Sequence, residues 1–599
     1  MKRIMLLLAF VVSALAAKAA GDIRYESGVW YEITDKSTTT WKAKVIKPTS
    51  GDSYKGDIVI KGSFKAYQDP VYFDVQVTAI DEYAFQGAKH LTSVTLPAVS
   101  YYLDIPDNAF NGCSELQAFK GGKLDYYHGS TVDGVLYRSS NMLKRYPLAR
   151  PHSEFTAPNG TSFVSPYAFQ GCENLETITL PNQTRSIGHH AFQDCDNLAS
   201  MELPQQYLKS IEEGTFQNCD ALYKLNLPYG IEKIGKEAFA YCDRLHEIYM
   251  GGKLTSVEAS SAFDGCSMLT TIFVREDPNY CSQDGVLFNK DATSLLRYPE
   301  GKEGDYRIPS TVNTIGEYAF MSCEHLKTIE MPSTVNEILT GAFNDCFNLT
   351  NFRMPSSVTT IGHGAFSGCS SLTEMEIPNS VTEIGEKAFY YCSGLVKLTL
   401  PSSAPKIGGE AFEGCDALKA IYNYDDNIST SDYKVSMYIF GALYASVVSN
   451  ATLYVTSNVD VELLKYLKKE TLDCPVVWAY FKNIKNMEEG DTDERCLTPY
   501  FSLENGKLVF YPVTPYSEVL VKYSMDTPKI VWDDARSGYV MERPTEYKVA
   551  AYAKCDGYKD SDVIYITVKT HGPDMNGDGK VTVADITDIV DKYILKGEE

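Results

Sequence analysis

The most constraining feature of the chain is a unit of 23 residues that recurs without interruption over residues 315–418. Each copy has an Ile-Gly or similar opener, an Ala-Phe pair, a Cys three residues after the Phe and a Leu six residues after it. The Phe residues of these five copies are Phe320, Phe343, Phe366, Phe389 and Phe412. A fixed period in the twenties is typical of a solenoid, in which a unit buries its apolar face only when a neighbour stacks on it.

The same unit recurs earlier in the chain, with two longer gaps. Seven further copies are marked by Phe85, Phe110, Phe169, Phe192, Phe216, Phe239 and Phe263. The gaps lie near 121–160 and 275–307, and each contains an Asp-Gly-Val-Leu sequence followed by Arg-Tyr-Pro. Because the two inserts match each other, we expect each to form a hairpin inside an enlarged coil.

The spacing within one coil predicts a short helix followed by a strand. Ile187, Ala191, Phe192 and Cys195 stand at i, i+4, i+5 and i+8, which places them on one face of a helix. The apolar residues of 198–203 then point inward from a short strand, and the next Pro ends it because Pro lacks a backbone donor. The predicted fold is an α/β solenoid in which one strand per coil stacks into a parallel sheet.

Eleven of the 15 Cys residues occupy the same position of the repeat. They are Cys113, Cys172, Cys195, Cys219, Cys242, Cys266, Cys323, Cys346, Cys369, Cys392 and Cys415. Stacked coils hold such side chains with parallel Cα–Cβ vectors, which is poor disulfide geometry, so we expect a ladder of buried thiols that pack as small hydrophobic groups. Cys281, Cys474, Cys496 and Cys555 lie outside the ladder, and a bridge between the last two stays open.

The amino terminus predicts export. Basic residues precede an apolar run that ends in Ala17-Lys18-Ala19, the layout of a secretory signal peptide over 1–19. No other run approaches the roughly 20 apolar residues that a membrane-spanning helix needs. A net charge of -23 argues against nucleic acid or an anionic membrane surface as a partner, since both require clustered Lys and Arg.

The repeat Ile-Gly-x-x-Ala-Phe-x-x-Cys-x-x-Leu-x-x-Ile-x-Leu-Pro resembles the BspA-like leucine-rich repeat family. The resemblance covers 76–425, both inserts included, with Ala88 in place of Cys in the first copy and Thr215 in place of Ala in a middle one. It implies a leucine-rich repeat array, secreted by a bacterium or held at its cell surface. The implied role is a binding or adhesion scaffold, and the family supplies no catalytic residue.

The segments on either side of the repeats have other patterns. Alternating apolar and polar residues over 20–75 predict an amino-terminal β cap, and 426–489 are expected to form the carboxy-terminal cap of the solenoid. Short alternating strands fill 490–570, where Asn505-Gly506 marks a tight hairpin. That segment resembles the immunoglobulin-like modules of secreted bacterial proteins and is expected to form a small β-sandwich.

The last segment, 571–599, contains the oxygen-rich spacing of an EF-hand-like calcium loop. Its predicted ligands, at loop positions 1, 3, 5, 7, 9 and 12, are Asp574, Asn576, Asp578, Lys580 (through its carbonyl), Thr582 and Asp585. Gly579 at position 6 allows the sharp turn that wraps such a loop around a hard cation, above all Ca²⁺. Apolar residues at helical spacing over 586–594 predict that a helix follows the loop.

Asp585 at position 12, with Val581 at position 8, makes this loop similar to a type I dockerin repeat rather than to an EF-hand sensor. The resemblance implies calcium as the cofactor and a cohesin-like docking partner for the tail. A full dockerin has two such repeats, and the sequence contains one.

Two adjacent coils carry a candidate ligand-contact surface. Glu247 with Tyr249, and Thr271 with Phe273, flank inward-facing Ile residues and are predicted to face outward on neighbouring strands. Two exposed aromatic rings side by side predict a contact patch for a protein or glycan. The alternative is that the hairpin of the 275–307 insert covers them.

These features favour a secreted, non-enzymatic interaction protein that binds a protein or glycan on the solenoid sheet and carries a calcium-dependent docking tail. An enzyme is disfavoured because caps, repeats, sandwich and tail account for nearly every residue. Two alternatives stay open: an accessory component of an extracellular polysaccharide-degrading assembly held by cohesin–dockerin contacts, and a structural surface-layer protein.

Overall fold

A computed structural model describes most of the repeat region and parts of the flanking segments. The described residues are 22–36, 40–48, 53–68, 71–122, 130–350, 352–403, 405–424, 451–456 and 483–487, and the backbone of seven strands between 500 and 595. The chain divides into two compact units. Unit 1 comprises Met1–Ile329, Glu337–Asn351 and Gly362–Ser371, and unit 2 comprises Glu330–Asn336, Phe352–Ile361 and Leu372–Glu599.

Unit 1 begins with a five-stranded sheet. In spatial order its strands are Asp22–Glu26, Val29–Asp35, Thr40–Val45, Val71–Ile80 and Ser63–Gln68. The third and fourth strands run parallel, and the other neighbours are antiparallel. Alternate residues such as Tyr31, Trp41 and Val75 are buried in a core that also holds Phe85 and Phe110 of the first coils. The alternating sequence pattern therefore does form strands here.

Most coils contribute one strand to a parallel arrangement, as the Leu-x-x-Ile spacing predicts; in the coil of Phe343, residues 352–354 form no strand. Over residues 56–330 these strands are Gly56–Val59, Leu91–Leu96, Ala118–Gly121, Glu154–Thr156, Thr177–Thr179, Ser200–Glu202, Lys224–Asn226, Glu247–Gly251, Thr271–Arg275, Gly304–Arg307 and Leu326–Glu330. The central apolar residues of neighbouring coils lie side by side and are buried, as in the pairs Ile178 with Met201 and Ile248 with Ile272.

A second set of strands, only two residues long in most coils, contains the Ile of each opener. In unit 1 these strands are Phe163–Val164, Ser186–Ile187, Ser210–Ile211, Lys233–Ile234, Ser256–Val257, Thr314–Ile315 and Glu337–Ile338. Each pairs in parallel with the corresponding short strand of a neighbouring coil, for example Ile211 with Ile234. The sequence spacing did not predict these strands, because it assigned the opener Ile to a helix.

The helix predicted at 187–195 is wrong: this segment is a strand end followed by consecutive turns, and the described residues contain no α-helix. In most coils the residues two before and two after the Phe have positive φ, as at His190 (53°) and Asp194 (58°) around Phe192. Such residues cannot continue a right-handed helix. The amide groups of these three residues instead donate hydrogen bonds of 2.9 Å to carbonyls of the next coil. The fold is therefore a parallel-sheet solenoid of strands and turns, without the α component.

The repeated Phe and Cys residues form the core of the coils. Phe rings of successive coils stack, with centroids 5.1 Å apart for Phe169 and Phe192. All eleven ladder Cys residues are buried and free, which confirms the predicted column of thiols. Burial raises the pKa of Cys172 to about 12, so its thiol stays protonated.

Both inserts form hairpins, as predicted. The hairpin strands are Val135–Ser139 with Met142–Arg145 and Val286–Asn289 with Ser294–Arg297, flanked by Ser130–Val132 and Tyr280–Gln283. The Arg-Tyr-Pro sequence takes the place of Ala-Phe in these coils, because Tyr146 stacks on Phe169 at 5.4 Å and Tyr298 stacks on Phe320 at 5.0 Å.

Unit 2 repeats the same two kinds of strand. The longer parallel strands are Glu374–Glu376, Lys397–Leu400, Ala420–Asn423, Thr452–Val455 and Asn483–Asn486, and the short ones are Thr360–Ile361, Glu383–Ile384 and Lys406–Ile407. Beyond them, Tyr500–Glu504 pairs antiparallel with Lys507–Tyr511, which is the hairpin predicted at 505–506. Face-to-face packing of strands into a β-sandwich stays a prediction.

The final five strands form one antiparallel sheet. In spatial order they are Val531–Asp534, Glu518–Ser524, Glu546–Lys554, Val563–Thr570 and Ile586–Leu595. The helix predicted over 586–594 is wrong, because Ile586–Leu595 is a strand. Its Ile, Val and Tyr residues favour strands, and two register shifts against Val563–Thr570 accommodate apolar residues that do not alternate.

Several predictions of the sequence fall outside the described residues. These are the signal segment 1–19, most of the cap at 426–489 and the loop at 574–585. No helix within the described part of the chain is long and apolar enough to cross a membrane.

Candidate functional site

The candidate contact surface lies on three neighbouring strands of unit 1: Lys224–Asn226, Glu247–Gly251 and Thr271–Arg275. The strands pair in parallel and in register, so that Tyr249 lies beside Phe273. Because Ile248 is buried, its neighbours along the strand project to the opposite face, as predicted.

Two aromatic rings dominate this face. The centroids of Tyr249 and Phe273 are 5.3 Å apart and the rings are tilted by 46°. Phe273 is 44% exposed, so its ring presents apolar surface to solvent. We call Lys224, Glu247, Tyr249, Thr271 and Phe273 the Tyr249 patch.

An ion pair fixes Tyr249 in place. The Lys224 Nζ lies 2.6 Å from Glu247 Oε2 and 4.5 Å from the centroid of the Tyr249 ring. The Tyr249 hydroxyl donates a hydrogen bond of 3.0 Å to the same Glu247 oxygen. The hydrogen bonds from Lys224 and Tyr249 lower the pKa of Glu247, which therefore stays ionised and keeps both partners. The ring is thus held before any ligand arrives.

A second exposed aromatic pair adjoins the patch. Tyr223 and His246 stack with centroids 5.6 Å apart and ring planes 7° apart, and Tyr223 is 56% exposed. His246 Nδ1 lies 3.1 Å from the carbonyl oxygen of Met268, whose side chain is also exposed. Sequence reasoning missed these residues because they occupy the variable position after the buried Leu. The only signal was the ring-bearing residue at that position in two successive coils.

The hairpin of the second insert does not cover the patch. The turn between its strands Tyr280–Gln283 and Val286–Asn289 lies along the edge of Thr271–Arg275, where the Ile272 amide donates to the Gly285 carbonyl at 2.9 Å. The Val274 amide likewise donates to the Ser282 hydroxyl at 2.9 Å. Both contacts are made in the plane of the sheet, which leaves the Phe273 ring open to solvent.

The predicted calcium ligands cannot be placed in the same way, because 574–585 lie outside the described residues. In the part of the chain that the structure describes, no group of three or more His, Cys, Asp or Glu side chains could hold a metal ion.

Comparison with known proteins identifies the repeats. The BspA type leucine rich repeat region is recognised in six copies over 64–126, 150–278 and 304–419, together more than half of the chain. No curated protein sequence gives a match.

The solved structures that this chain matches include three bacterial proteins. A leucine rich cell surface protein of Faecalibacterium prausnitzii is 25% identical, covers 69% of this chain and 96% of its own, and has a TM-score of 0.43. The pneumococcal vaccine antigen PcpA is 21% identical, with coverages of 78% and 98% and a TM-score of 0.42. A leucine-rich repeat protein of Bacteroides ovatus is 22% identical, with coverages of 67% and 94% and a TM-score of 0.36.

The repeat spacing, the Phe and Cys columns and the family match agree with one another. The chain belongs to the BspA type leucine rich repeat family.

Proposed function

We propose that this protein is a secreted or surface-held, non-enzymatic scaffold that binds a protein ligand through the Tyr249 patch. The observation that carries the proposal is the pair formed by the half-buried Tyr249 ring, held in place by Lys224 and Glu247, and the exposed Phe273 ring. A fixed aromatic pair binds well because little side-chain entropy is lost when the partner arrives.

A protein is a better fit than a glycan for three reasons. The patch extends over three strands, it adjoins the exposed Met268, and its rings are tilted toward each other rather than lying open as parallel faces. Tyr, Met and Phe are also enriched in the buried centres of protein interfaces. A glycan ligand is the second outcome that the experiment can detect.

The test compares full-length protein with Tyr249→Ala/Phe273→Ala by surface plasmon resonance. The probes are host extracellular-matrix proteins, a bacterial surface extract and a glycan array. We expect the double variant to lose about 30-fold or more in affinity for the bound protein, because both rings would be buried in the interface. Binding to the array alone would assign the ligand to the glycans.

The matched control is Phe347→Ala/Tyr391→Ala, which removes an exposed Phe and an exposed Tyr elsewhere on the coils. This control is expected to retain wild-type affinity. Equal losses in the two double variants would overturn the assignment to the Tyr249 patch.

We further propose that the loop at 574–585 binds Ca²⁺ and serves as a docking tail. Its support is the donor set: four carboxylate or amide side chains, a carbonyl and a hydroxyl, all oxygen donors of the kind that Ca²⁺ takes. Asp574, Asn576, Asp578, Lys580, Thr582 and Asp585 would hold the ion. The segment after the loop is the strand Ile586–Leu595, so a docking partner would meet a strand rather than the helix of a dockerin.

Isothermal titration of the full-length protein with Ca²⁺ tests this second proposal. We expect one site, lost in Asp574→Ala/Asp578→Ala and kept in the control Asp588→Ala/Asp591→Ala. Capture of a cohesin-like partner only with Ca²⁺ would favour an accessory role in a polysaccharide-degrading assembly. Concentration-dependent light scattering without any ligand would favour a surface-layer protein instead.

A further inference from the structure

The Tyr249 patch adjoins an exposed arginine. Arg275 is the last residue of the strand Thr271–Arg275, and because it follows Phe273 by two residues it projects from the same face. Opposite Arg275 on the neighbouring strand stands Gly251, two residues after Tyr249. Since Gly251 adds no side chain, a ligand that lies on the ring pair can also reach the guanidinium.

Arg275 has no counter-ion in the part of the chain that the structure describes. It forms no ion pair and no side-chain hydrogen bond there, and it is exposed. Two cations nearby are each paired, Lys224 with Glu247 at 2.6 Å and Lys302 with Asp284 of the hairpin turn at 2.9 Å. In a chain with 78 Asp and Glu against 55 Lys and Arg, this guanidinium is left without the carboxylate that Arg binds through two parallel hydrogen bonds.

Unit 2 contains a second ring pair of the same construction. Tyr422 and Tyr454 lie side by side on paired parallel strands, with ring centroids 4.5 Å apart. Lys397 of the preceding coil places its Nζ 4.5 Å from the centroid of the Tyr422 ring, the same distance as from Lys224 to Tyr249. The sequence positions also correspond, because each Lys stands eight residues after the Phe of its coil and each Tyr stands ten residues after the next Phe.

This second pair is buried, whereas Phe273 of the Tyr249 patch is 44% exposed. Tyr422 is only 3% exposed and Tyr454 only 5%. The residues before them, Ile421 and Leu453, are buried in the solenoid core, so the two Tyr rings lie on the outer face of their strands. Polypeptide of this chain therefore covers the outer face in unit 2. Such a ring pair with a Lys beside it is, in this protein, a surface on which polypeptide packs.

Charge distinguishes the two ring pairs. The residue two after Tyr454 is Thr456, whereas the residue two after Phe273 is Arg275. A segment that covers the Tyr249 patch with an uncharged group beside Arg275 would desolvate the guanidinium without pairing it, and a segment with a cation there would be repelled. A carboxylate is the group that completes the contact.

We propose that the Tyr249 patch binds a polypeptide segment of its partner in which an apolar or aromatic residue packs on Tyr249 and Phe273 and a nearby Asp or Glu pairs with Arg275. This inference rests on the proposed function, because it takes the Tyr249 patch as the binding site, and it adds the chemistry of the partner. The ion pair at the edge of the apolar contact would select among partners.

Fluorescence polarisation with labelled synthetic peptides tests this chemistry on the full-length protein. The probes are peptides of about ten residues, capped at both ends, in which Gly and Ser surround one Tyr or Leu. An Asp, Asn or Lys stands within about four residues of it on either side, and a further set carries the Asp without the Tyr or Leu. We expect at least one peptide with both groups to bind, about tenfold more tightly than its Asn counterpart, and its Lys counterpart to bind most weakly. Added NaCl should weaken the Asp peptide more than the Asn peptide.

Variants of one exposed residue identify the cation. Arg275→Gln should weaken the Asp peptide about tenfold and leave the Asn peptide unchanged. The control Lys327→Gln, which removes an exposed cation from the strand Leu326–Glu330, should change neither affinity. Arg275→Glu should reverse the order, so that the Lys peptide binds more tightly than the Asp peptide.

Equal affinities of the Asp, Asn and Lys peptides would overturn the proposal, as would equal effects of Arg275→Gln and Lys327→Gln or the absence of binding by every peptide. Tyr249→Ala/Phe273→Ala separates these results from a failure of the proposed function. If charge has no effect but this double variant loses the protein ligand in surface plasmon resonance, the patch remains the binding site and only the acidic segment is wrong. If the double variant binds as the wild type does, both proposals are wrong.

Discussion

The thiol of Cys195 donates a hydrogen bond to the carbonyl oxygen of Phe169 in the preceding coil, 3.2 Å away. The same contact recurs along the solenoid, as from Cys219 to Phe192 at 3.1 Å. In most coils the turns around the Phe direct its amide to the next coil, and its carbonyl accepts from that coil's thiol and from the amide of the Cys three residues on. In the first coil no Phe carbonyl of an earlier coil needs a donor. Its Cys position is occupied by Ala88, whose side chain has no donor.

The first prediction concerns this donor role. Cys219→Ala should destabilise the protein by about 1–3 kcal/mol, because it removes both a packed atom and the donor to a buried carbonyl. Cys219→Ser should cost less than Cys219→Ala, since the hydroxyl can still donate. Chemical unfolding of both variants measures the order. A larger loss for Ser would mean that the thiol acts only as a small hydrophobic group.

The second prediction concerns reactivity. Burial raises the pKa of Cys172 and Cys242 to about 12 and holds that of Cys219 well above its usual value, so these thiols lack the thiolate that reacts. Thiol titration should find the ladder unreactive in the native protein and at least eleven free thiols after unfolding. Four or fewer thiols in the unfolded protein would contradict the ladder.

The coil length, the buried positions and the free thiols could be predicted because each follows from a fixed period and from burial. The turns could not be deduced from apolar spacing, since Ile187, Ala191 and Phe192 are equally consistent with a helix face. A signal was present two residues after the Phe, where Gly, Asp or Asn is frequent, as at Asp194 and Gly265. These residues tolerate positive φ better than others and indicate a turn rather than a helix.

The outward direction of Glu247, Tyr249, Thr271 and Phe273 was predictable from strand alternation. The ion pair from Lys224 was not, because it depends on which side-chain rotamers meet across coils. The solvent exposure of the patch could not be predicted from the sequence either. It depends on the hairpin at 280–289 lying along a strand edge rather than over the rings.

The third prediction concerns a buried charge cluster in the second insert. Arg297, fully buried, lies 2.6 Å from Glu300 Oε1 and 3.0 Å from Asp264 Oδ1. It also donates at 3.3 Å to the Phe263 carbonyl, the role that a Cys thiol has in other coils. Burial raises the pKa of Glu300 from 4.5 to about 7 even though Arg297 opposes the shift.

Because folding raises the pKa of Glu300, the folded state binds a proton that the unfolded state has released between pH 4.5 and 7. The stability from this group is fully present below pH 4.5 and is lost as pH rises through 7, by up to about 3 kcal/mol. Glu300→Gln should flatten the fall in unfolding free energy across this window. The exposed control Glu303→Gln should leave it unchanged, and equal slopes for all three proteins would contradict the assignment.

The fourth prediction concerns the Gly that follows the opener Ile, as at Gly408. A Cβ added at Gly408 would lie 2.3 Å from the amide nitrogen of Glu386 in the preceding coil, whereas one added at Gly409 would meet no atom within 4 Å. Neither residue has positive φ, so steric contact alone distinguishes them. Gly408→Ala should therefore destabilise the protein by about 1–3 kcal/mol, because the coils would have to move apart.

Gly409→Ala should instead stabilise it by about 0.4–1 kcal/mol, by restricting the unfolded chain. Denaturant unfolding of the two single variants of full-length protein measures both effects against the same wild type. Opposite signs at adjacent residues would mean that coil spacing, and not backbone freedom, selects Gly after the opener Ile. Stabilisation by both variants would mean that the backbone of Glu386 can move away, so that the stacking of the coils does not exclude a Cβ at Gly408.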